Sequence, residues 1–304
     1  MTPKERLEAV FNGKIPDKVP HFELDFQIPE QAFGVAFPNL SNYHLIAKKD
    51  QDKLREEFFD IWDLVIEKYQ WSAITVPDIF LQPARKRFED KVLLYSFNGQ
   101  GTFWMPSGND MMDFVVKLFE RPDELHEEAK IKKENSIELA KKQVVAGADF
   151  ICINSDYGFN EGPFISPKMF SEFVTPYLTE VVDAIHKLGV KAILHSDGDL
   201  RKILDQLVST GLDGYQSIDP QGHMDIAKVK EKYGNELILM GNVKTSALQD
   251  TNKKIIHESV QYYMKHEKPN GRYIFSTSNC IFDGMPLESY HTMLQEYEKL
   301  AYYK

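Results

Sequence analysis

The second half of the chain alternates between helical and strand-like hydrophobic patterns. Helical spacing with capping residues covers five stretches, at residues 122–145, 166–188, 200–210, 225–233 and 252–265. Strand patterns fall at residues 149–154, 191–195, 214–218, 237–240 and 273–276, and a last helix starts at residue 286. Strand–helix units in such succession predict parallel strands joined by right-handed crossovers.

The first 26 residues predict a capped helix followed by a strand. Thr2 is placed to cap the helix, Pro3 suits its first turn, and Glu5 completes a capping box. Residues 19–26 then alternate apolar and polar side chains, which predicts a strand with Glu23 and Asp25 on one face. This strand would be the first of the sheet.

Residues 40–110 predict a helix at 53–62, strands at 64–66 and 73–76, and a β-hairpin near 86–107. The hairpin rests on the apolar runs 92–95 and 99–104, which lie outside the strand–helix alternation. The strand total then reaches about eight, the number that closes a (β/α)8 barrel. No Gly-x-Gly-x-x-Gly follows an early strand, so a dinucleotide-binding doubly wound sheet is the weaker alternative. We therefore predict an α/β protein with a single TIM-type barrel.

Length and composition fit one globular domain over residues 1–304. Barrels of this length keep one core, and 42% hydrophobic with 27% charged residues gives no sign of disorder. The net charge of −10, without a basic stripe, argues against nucleic acid and anionic membranes as partners. Two distant cysteines, no signal-peptide pattern and no apolar run of membrane-spanning length favour a cytoplasmic protein.

Polar residues collect just after the predicted strands, where parallel barrels carry their active sites. They are Glu23, Asp25, Asn154, Asp156, Tyr157, Asn160, Glu161, His195, Asp197, Asp199, Asp219, Asn242, Ser278, Asn279 and Cys280. Some have a structural explanation, because Asp199 suits a helix cap and Asp219 precedes Pro220 in a turn. The others are candidates for a site at the barrel mouth.

His195 and Asp197 stand two positions apart, so their side chains leave the strand on the same face and can converge on one ion. Cys280, after the last strand, adds a sulfur ligand. Three protein ligands with one open position is the pattern of a catalytic zinc site. The alternative is structural: His195 hydrogen-bonded in the barrel, Asp197 in a turn, and Cys280 a small buried apolar residue.

The motifs at these positions resemble those of the uroporphyrinogen decarboxylase superfamily, and specifically its corrinoid-dependent methyltransferase branch. They are the stretch 6–20 (RLEAVFNGKIPDKVP), the loop 162–167 (GPFISP), His195-Ser196-Asp197-Gly198, Gly241-Asn242-Val243, and Cys280 followed by 285–288 (MPLE). The resemblance implies a (β/α)8 barrel, in agreement with the hydrophobic patterns.

In the methyltransferase branch a His-x-Cys pair and a distant cysteine bind zinc, and these positions fall on His195, Asp197 and Cys280. Asp197 replaces a cysteine, which makes the site harder and favours activation of an oxygen atom over a thiol. The decarboxylase branch carries an arginine-containing N-terminal signature, whereas residues 22–26 here are FELDF. Acidic groups at that place would repel a porphyrinogen with eight carboxylates, so decarboxylation is the less favoured alternative.

The resemblance leads to the hypothesis of a zinc-dependent methyltransferase that moves a methyl group from a small donor, such as a methoxylated aromatic compound, to a corrinoid. The sequence has no Asp-x-His-x-x-Gly motif, so a corrinoid-binding partner protein would carry the cobalamin. The expected residues are Asp156, Tyr157 and Glu161 as catalytic groups, Glu23, Asp25, Phe26, Asn160, Phe164 and Asn242 as substrate-binding groups, and His195, Asp197 and Cys280 as metal ligands.

Some assignments stay open at this point. Asp156, Glu161, Glu23 and Asp25 each suit either an extra metal ligand or a general acid. Methyl transfer from a corrinoid to a thiol is an alternative reaction, and a barrel that only binds a ligand is an alternative to an enzyme.

Overall fold

The computed structural model of the protein describes residues 1–99, 101–108 and 110–303. The helices are α1 (Pro3–Phe11), α2 (Pro29–Phe33), α3 (Lys48–Tyr69), α4 (Leu81–Phe88), α5 (Asp110–Glu120), α6 (Pro122–Ala146), α7 (Pro167–Phe173), α8 (Thr175–Lys187), α9 (Leu204–Ser209), α10 (Ile226–Tyr233), α11 (Thr245–Gln249), α12 (Lys253–Glu267) and α13 (Leu287–Leu300). The strands are β1 (Ala73–Thr75), β2 (Leu93–Asn98), β3 (Phe150–Asn154), β4 (Gly158–Phe159), β5 (Gly162–Pro163), β6 (Lys191–Ser196), β7 (Gly214–Ser217), β8 (Ile238–Val243) and β9 (Tyr273–Thr277). Short 3-10 turns cover Tyr43–Leu45, Asp78–Phe80 and Pro220–Gly222.

The chain divides into two compact units. Unit 1 comprises Met1–Leu94 and Val243–Lys304, and unit 2 comprises Tyr95–Asn242. The single-domain organisation expected from the sequence stays a prediction.

Unit 2 contains parallel strands in the order β2-β3-β6-β7-β8. Asn154 is in register with His195, His195 with Gln216, and Gln216 with Met240. Residues 150–153 are buried, as expected for a parallel strand covered on both faces. Because all these strands run in one direction, the loops that follow β3, β6 and β7 lie at one edge of the sheet.

Unit 1 contains the paired segment at residues 18–26. His21 pairs in parallel with Phe275, and Phe26 with Ile281. The Ser72 amide donates to the His21 carbonyl over 2.8 Å, so the same segment also contacts the residue just before β1. The strand predicted at 19–26 is present as an extended segment with interrupted pairing, and β1 confirms the strand predicted at 73–76.

The first helix forms as its sequence predicts. The Thr2 side chain accepts from the Glu5 amide over 3.2 Å, and the Glu5 carboxylate accepts from the Thr2 amide over 2.7 Å. This reciprocal capping box satisfies two amides that the first turn leaves unpaired. Parallel strands with intervening helices in both units confirm the predicted α/β class of TIM-barrel type.

Two predictions for residues 40–110 are wrong. Residues 64–66 lie inside α3. The run is apolar because Val65 and Ile66 belong to the buried face of this helix. The predicted hairpin near 86–107 is not formed, because β2 pairs in parallel with β3 and the described residues 101–107 form no strand. The run 92–95 is apolar because a parallel strand is buried on both faces. Gln100, at the predicted turn, lies outside the described residues.

The long helices are too polar to cross a membrane. In the part of the chain that the structure describes, no helix combines the length and the apolar character that a membrane span requires.

Candidate metal centre

The loops after β3 and β6 bring a carboxylate each beside one imidazole. β3 and β6 are adjacent, and the Ser155 amide donates to the His195 carbonyl over 3.1 Å, so the pairing continues to the strand ends. Asp156 follows in one loop and Asp197 in the other. Ligand atoms of Asp156, His195 and Asp197 all lie within 4.8 Å of one another.

His195 points one nitrogen at both carboxylates. Its Nε2 lies 3.8 Å from Asp156 Oδ1 and 4.0 Å from Asp197 Oδ2. The ring is 8% exposed, whereas the Asp156 side chain is 45% exposed and that of Asp197 is 32% exposed. The cluster therefore has a buried imidazole at its base and two carboxylates that reach solvent.

The other nitrogen of His195 is held by Gln216. His195 Nδ1 forms a short hydrogen bond with the side-chain amide oxygen Oε1 of Gln216. Gln216 lies on β7, where it is in register with His195 on β6. An amide oxygen can only accept, so Nδ1 carries the proton and donates. Nε2 then keeps its lone pair, which is the form of histidine that binds a metal.

The carboxylates are oriented by hydrogen bonds within unit 2. Ser217 Oγ donates to Asp197 Oδ1 over 2.5 Å, and the Asp197 amide donates to Asp156 Oδ1 over 3.0 Å. Burial raises the pKa of Asp197 above its ordinary value, while the facing His195 and the Ser217 hydrogen bond act in the opposite direction. A cation beside this carboxylate would stabilise its charged form.

The donor set fits a small transition-metal ion. In a tetrahedral zinc site with ligands at about 2.1 Å, neighbouring donor atoms lie ~3.4 Å apart. The observed separations of 3.8 and 4.0 Å from His195 Nε2 exceed this by only a few tenths of an ångström. One imidazole nitrogen and two carboxylate oxygens form a harder set than the thiolate-rich sites of structural zinc.

The loops that carry these groups pack backbone against backbone. A Cβ on Gly198 would lie 2.3 Å from the Gly158 carbonyl oxygen, and Gly198 has φ +87°. A Cβ on Gly222 would lie 2.2 Å from the Gly198 carbonyl carbon. Only glycine fits such an approach, so the loops after β3, β6 and β7 are locked together at these three residues.

Asp219 ties two of the same loops together. Its Oδ2 accepts from the Gly198 amide over 3.2 Å and its Oδ1 accepts from the Gln221 amide over 2.8 Å. The Asp199 amide also donates to the Phe159 carbonyl over 2.8 Å. These bonds hold the backbone of Gly198 and Asp199, the two residues that follow Asp197.

An aromatic group lies beside Asp156 in sequence and space. Tyr157 and Phe164 stack with ring centroids 6.2 Å apart, and the Phe164 amide donates to the Tyr157 carbonyl over 2.9 Å. The Tyr157 hydroxyl is buried against Thr102 Oγ1, and burial raises its pKa to about 12. Tyr157 is thus a protonated, packed phenol, while Phe164 is partly exposed.

With this geometry established, comparison with known proteins gives the family. The family profile described as uroporphyrinogen decarboxylase (URO-D) matches residues 102–300, more than half of the chain. The chain belongs to the URO-D family. The match includes the cluster Asp156, His195 and Asp197.

Curated URO-D relatives are distant and longer. The uroporphyrinogen decarboxylase of Psychromonas ingrahamii is 24% identical over 217 residues, which cover 67% of this chain and 58% of that protein. That of Nitrosococcus oceani is 22% identical over 233 residues, which cover 70% of this chain and 63% of that protein. The chain therefore spans about three fifths of the length of these relatives.

Two solved structures share the fold. A methyltransferase from Methanosarcina mazei superposes with a TM-score of 0.75 at 18% identity, covering 98% of this chain and 99% of that chain. A B12-independent methionine synthase from Shewanella sp. W3-18-1, in complex with selenomethionine, gives a TM-score of 0.52 at 10% identity, covering 83% of this chain and 88% of the other. At these identities the likeness concerns the fold.

The other residues of unit 2 that the sequence predicts for the site have separate contacts. Asn160 is exposed, and Glu161 is 87% exposed with its carboxylate 3.5 Å from His223. Asn242 is buried at the end of β8, where its Nδ2 donates to the Ile218 carbonyl over 2.7 Å. Their catalytic and substrate-binding roles stay predictions.

The residues expected from unit 1 form their own hydrogen-bonded group. Glu23 is fully buried, and its Oε2 accepts from the Thr277 amide and hydroxyl over 2.8 and 2.7 Å. Asp25 Oδ2 accepts from Gln27 Nε2 over 2.9 Å, and the same nitrogen lies 3.9 Å from Cys280 Sγ. Cys280 is partly exposed, and its place among the metal ligands stays a prediction.

Phe26 is part of the core of unit 1. It is fully buried, with its ring near those of Phe33, Tyr69, Trp71 and Tyr290. This aromatic packing favours a structural role over the substrate contact expected from the sequence.

Gln216, Ser217, Asp219 and Gly222 were not singled out as site residues by the sequence. Gln216 and Ser217 lie inside a strand pattern, where only the register with β6 brings them to His195 and Asp197. Asp219 looks like a turn residue before Pro220, and Gly222 like an ordinary loop glycine. The one available signal was their position at the end of a barrel strand.

Proposed function

We propose that this member of the URO-D family is a metal-dependent methyltransferase that moves a methyl group from a small methylated donor to a corrinoid on a partner protein. The observation that carries the proposal is the cluster of Asp156, His195 and Asp197 at the ends of β3 and β6. The fold shared with a methyltransferase from Methanosarcina mazei supports it. A methoxylated aromatic compound is the donor class that we favour.

The metal would be held by His195 Nε2 and by one oxygen each of Asp156 and Asp197, with Cys280 as the proposed sulfur ligand. Zinc bound there would act as a Lewis acid on the oxygen atom of the donor. The absence of a cysteine at position 197 makes an oxygen substrate the better match. Gln216 and Ser217 keep the imidazole and the carboxylate in position before any substrate arrives.

The chain's own residues supply orientation and an apolar contact. Phe164 is a partly exposed ring that stacks on the buried Tyr157, the residue after Asp156. A flat donor packed on Phe164 would present its methoxy group toward the carboxylates. As a metal ligand Asp156 would stay ionised, so the departing phenolate would take its proton from solvent, which reaches the site because the Asp156 side chain is 45% exposed.

The proposed reaction balances without a further reagent. The O–CH3 bond of the donor breaks, a cobalt–carbon bond forms with the electron pair of cobalt(I), and the phenolate takes up one proton. No Asp-x-His-x-x-Gly motif occurs in this sequence, which supports a separate corrinoid-carrying partner.

The test is methyl transfer in vitro under anaerobic conditions. We expect 2-methoxyphenol and cob(I)alamin, incubated with zinc-loaded protein, to give methylcobalamin and catechol, followed by the visible spectrum and by chromatography. His195→Ala should lower the rate at least about 100-fold, since it removes the ligand at the base of the site. Asp183→Asn, an exposed carboxylate on α8, is the matched control and should keep the wild-type rate.

A wild-type protein that holds zinc but transfers no methyl group from any of a panel of methoxylated phenols would contradict the proposed donor. Methyl transfer from methylcobalamin to an added thiol, measured with the same zinc-loaded protein, would show that the reaction runs in the direction opposite to the one proposed. Activity that persists in His195→Ala would remove the cluster from the mechanism.

Decarboxylation of a porphyrinogen is the second candidate, because the curated relatives are uroporphyrinogen decarboxylases. Against it, the stretch 22–26 carries no arginine, and Asp25, the partly exposed acidic side chain of this stretch, would repel a porphyrinogen carboxylate. Incubation with uroporphyrinogen and analysis of the product carboxylates separates the two. Coproporphyrinogen formation that survives His195→Ala would favour this second function.

A further inference from the structure

Unit 2 also contains a cavity whose lining includes none of Asp156, His195 and Asp197. It has a volume of about 310 Å3, and its walls come from the segment 103–107, α5 and α6. The lining residues are Phe103, Trp104, Pro106, Ser107, Asp110, Asp113, Phe114, Lys117, Glu128 and Lys132. This volume is in the range of small-molecule pockets.

The cavity contains two lysines with different electrostatic environments. Lys117 Nζ lies 2.6 Å from Asp113 and 2.5 Å from Glu128, so its charge is matched by two carboxylates. Lys132 has no carboxylate within 4.0 Å of its ammonium among the residues that the structure describes. Its Nζ lies instead 4.7 Å from the ring centroid of Trp104 and 5.7 Å from that of Phe103.

Lys132 is half-buried, and none of the described residues places a carboxylate at ion-pair distance from its ammonium. Burial lowers the pKa of Lys132, and the nearest acidic influence, Glu128, is already paired with Lys117. An anion that enters the cavity would recover the attraction that the ammonium lacks in the free protein. The ring faces of Trp104 and Phe103 stabilise the ammonium only in part.

The aromatic wall selects the shape of that anion. Trp104 is 41% exposed, whereas Phe103 and Phe114 line the cavity as buried rings. The Lys132 ammonium lies over the Trp104 ring, so this arrangement suits a flat ligand that packs against the part of the indole the ammonium leaves open and extends one acidic group to the ammonium. Asp110 also lines the cavity, and its carboxylate repels anions, so a ligand with a single acidic group placed at Lys132 is favoured over one with two.

We infer that this cavity binds a planar aromatic monocarboxylate, with its ring on Trp104 and its carboxylate on Lys132. The cavity wall is hydrogen-bonded to the cluster of Asp156, His195 and Asp197, because the Met105 amide donates to the Asp156 carbonyl over 2.8 Å. Phe114 also packs on Phe164 with ring centroids 5.8 Å apart. The inference does not rest on the proposed methyl transfer, since it concerns ligand binding alone.

Trp104 itself provides the readout. The other two tryptophans, Trp62 and Trp71, are 1% and 0% exposed, so ligand-dependent changes in fluorescence report mainly on Trp104. Benzoate, titrated into metal-free protein with excitation at the red edge of the indole band, should give a saturable change. Benzamide has the same shape without the charge and should bind at least about tenfold more weakly, as expected for loss of a charge-assisted contact.

Variants of Lys132 distinguish a built site from loose stacking. Lys132→Gln should raise the dissociation constant for benzoate at least about tenfold. Lys132→Arg should keep most of the affinity because it keeps the charge. Lys130→Gln removes an exposed lysine of the same helix, paired with Glu127, and should leave binding unchanged. Trp104→Phe should abolish the fluorescence signal, with residual binding followed by ligand-observed NMR.

The inference is overturned by any of three results. Benzoate could give no saturation up to about 10 mM, which corresponds to less than ~3 kcal/mol of binding free energy. Benzamide could bind as tightly as benzoate. Lys132→Gln, with an unchanged thermal transition, could bind benzoate like the wild type. None of these measurements involves zinc, corrinoid or methyl transfer, so failure here and failure of the proposed function are separate outcomes.

Discussion

Gln216 decides which nitrogen of His195 is available to a metal. A neutral imidazole has one donor and one acceptor nitrogen, and the amide oxygen of Gln216 accepts from Nδ1. Nε2 is then the acceptor, and it is the nitrogen that faces Asp156 and Asp197. Gln216 is fully buried, so water does not compete for this hydrogen bond.

Replacing Gln216 should therefore weaken metal binding without removing a ligand. We expect Gln216→Met to lower zinc affinity about 10- to 100-fold, the usual effect of losing a partner that orients a histidine ligand. Gln216→Glu keeps an acceptor oxygen and should retain more affinity than Gln216→Met. Competition with a chromophoric chelator measures both, and Gln221→Met, on an exposed side chain, serves as the control. Folded Gln216→Met with wild-type affinity would show that Gln216 does not orient His195.

The residues of the cluster could be named from the sequence, whereas the residues that hydrogen-bond to them could not. His195 and Asp197 were predicted from their spacing on one strand, and Asp156 as a candidate from its place after another strand. Gln216 and Ser217 could not be predicted, because their contacts depend on the register between β6 and β7. Register is set by packing of the whole sheet and not by local sequence.

At the scale of elements, three loops hold the cluster by close backbone contact. Gly158, Gly198 and Gly222 meet where the loops after β3, β6 and β7 cross. Asp197 precedes Gly198 directly, so the position of its carboxylate depends on this crossing. The parallel strands set the direction in which the three loops leave the sheet, and the glycines allow the loops to pack closely against one another.

Gly198→Ala should disrupt both stability and metal binding. The residue has φ +87°, and a Cβ would lie 2.3 Å from the Gly158 carbonyl oxygen, so the loops must separate. We expect a loss of at least about 2 kcal/mol in unfolding free energy and a Tm lower by about 4 °C. Gly99→Ala is the matched control, since its Cβ would meet nothing within 4 Å. Thermal unfolding followed by circular dichroism measures the stability, and zinc competition with a chromophoric chelator measures the metal binding. Equal Tm values for Gly198→Ala and the wild type would contradict this role of Gly198.

Elements with strong local signals were predicted, and those that depend on tertiary context were not. The capping box of α1 and the alternation after residue 122 are local patterns, and both are present in the structure. β2 was taken for half of a hairpin because a strand buried on both faces has no alternation to identify it. Residues 64–66 were predicted as a strand and not as part of α3, because a run of three apolar residues is too short to show a helical period.

At the scale of the whole molecule, family membership and fold support an enzyme, and the proposed chemistry rests on the cluster in unit 2. The net charge of −10 is the observation that argues against nucleic acid as a partner, and this expectation stays a prediction. The URO-D match and the methyltransferase fold are consistent with the barrel predicted from the alternation. The substrate depends on a few side chains at the strand ends, which is why fold alone does not identify it.

The most direct test of the account is metal content. Protein purified without chelators and dialysed against zinc should hold about one equivalent per chain, by inductively coupled plasma mass spectrometry. His195→Ala, Asp156→Asn and Asp197→Asn should each lose most of it, Asp183→Asn should keep it, and Cys280→Ser tests the sulfur ligand. Wild-type protein that takes up no zinc or other divalent transition metal, or ligand variants that retain a full equivalent, would contradict the central claim that these side chains form a metal site.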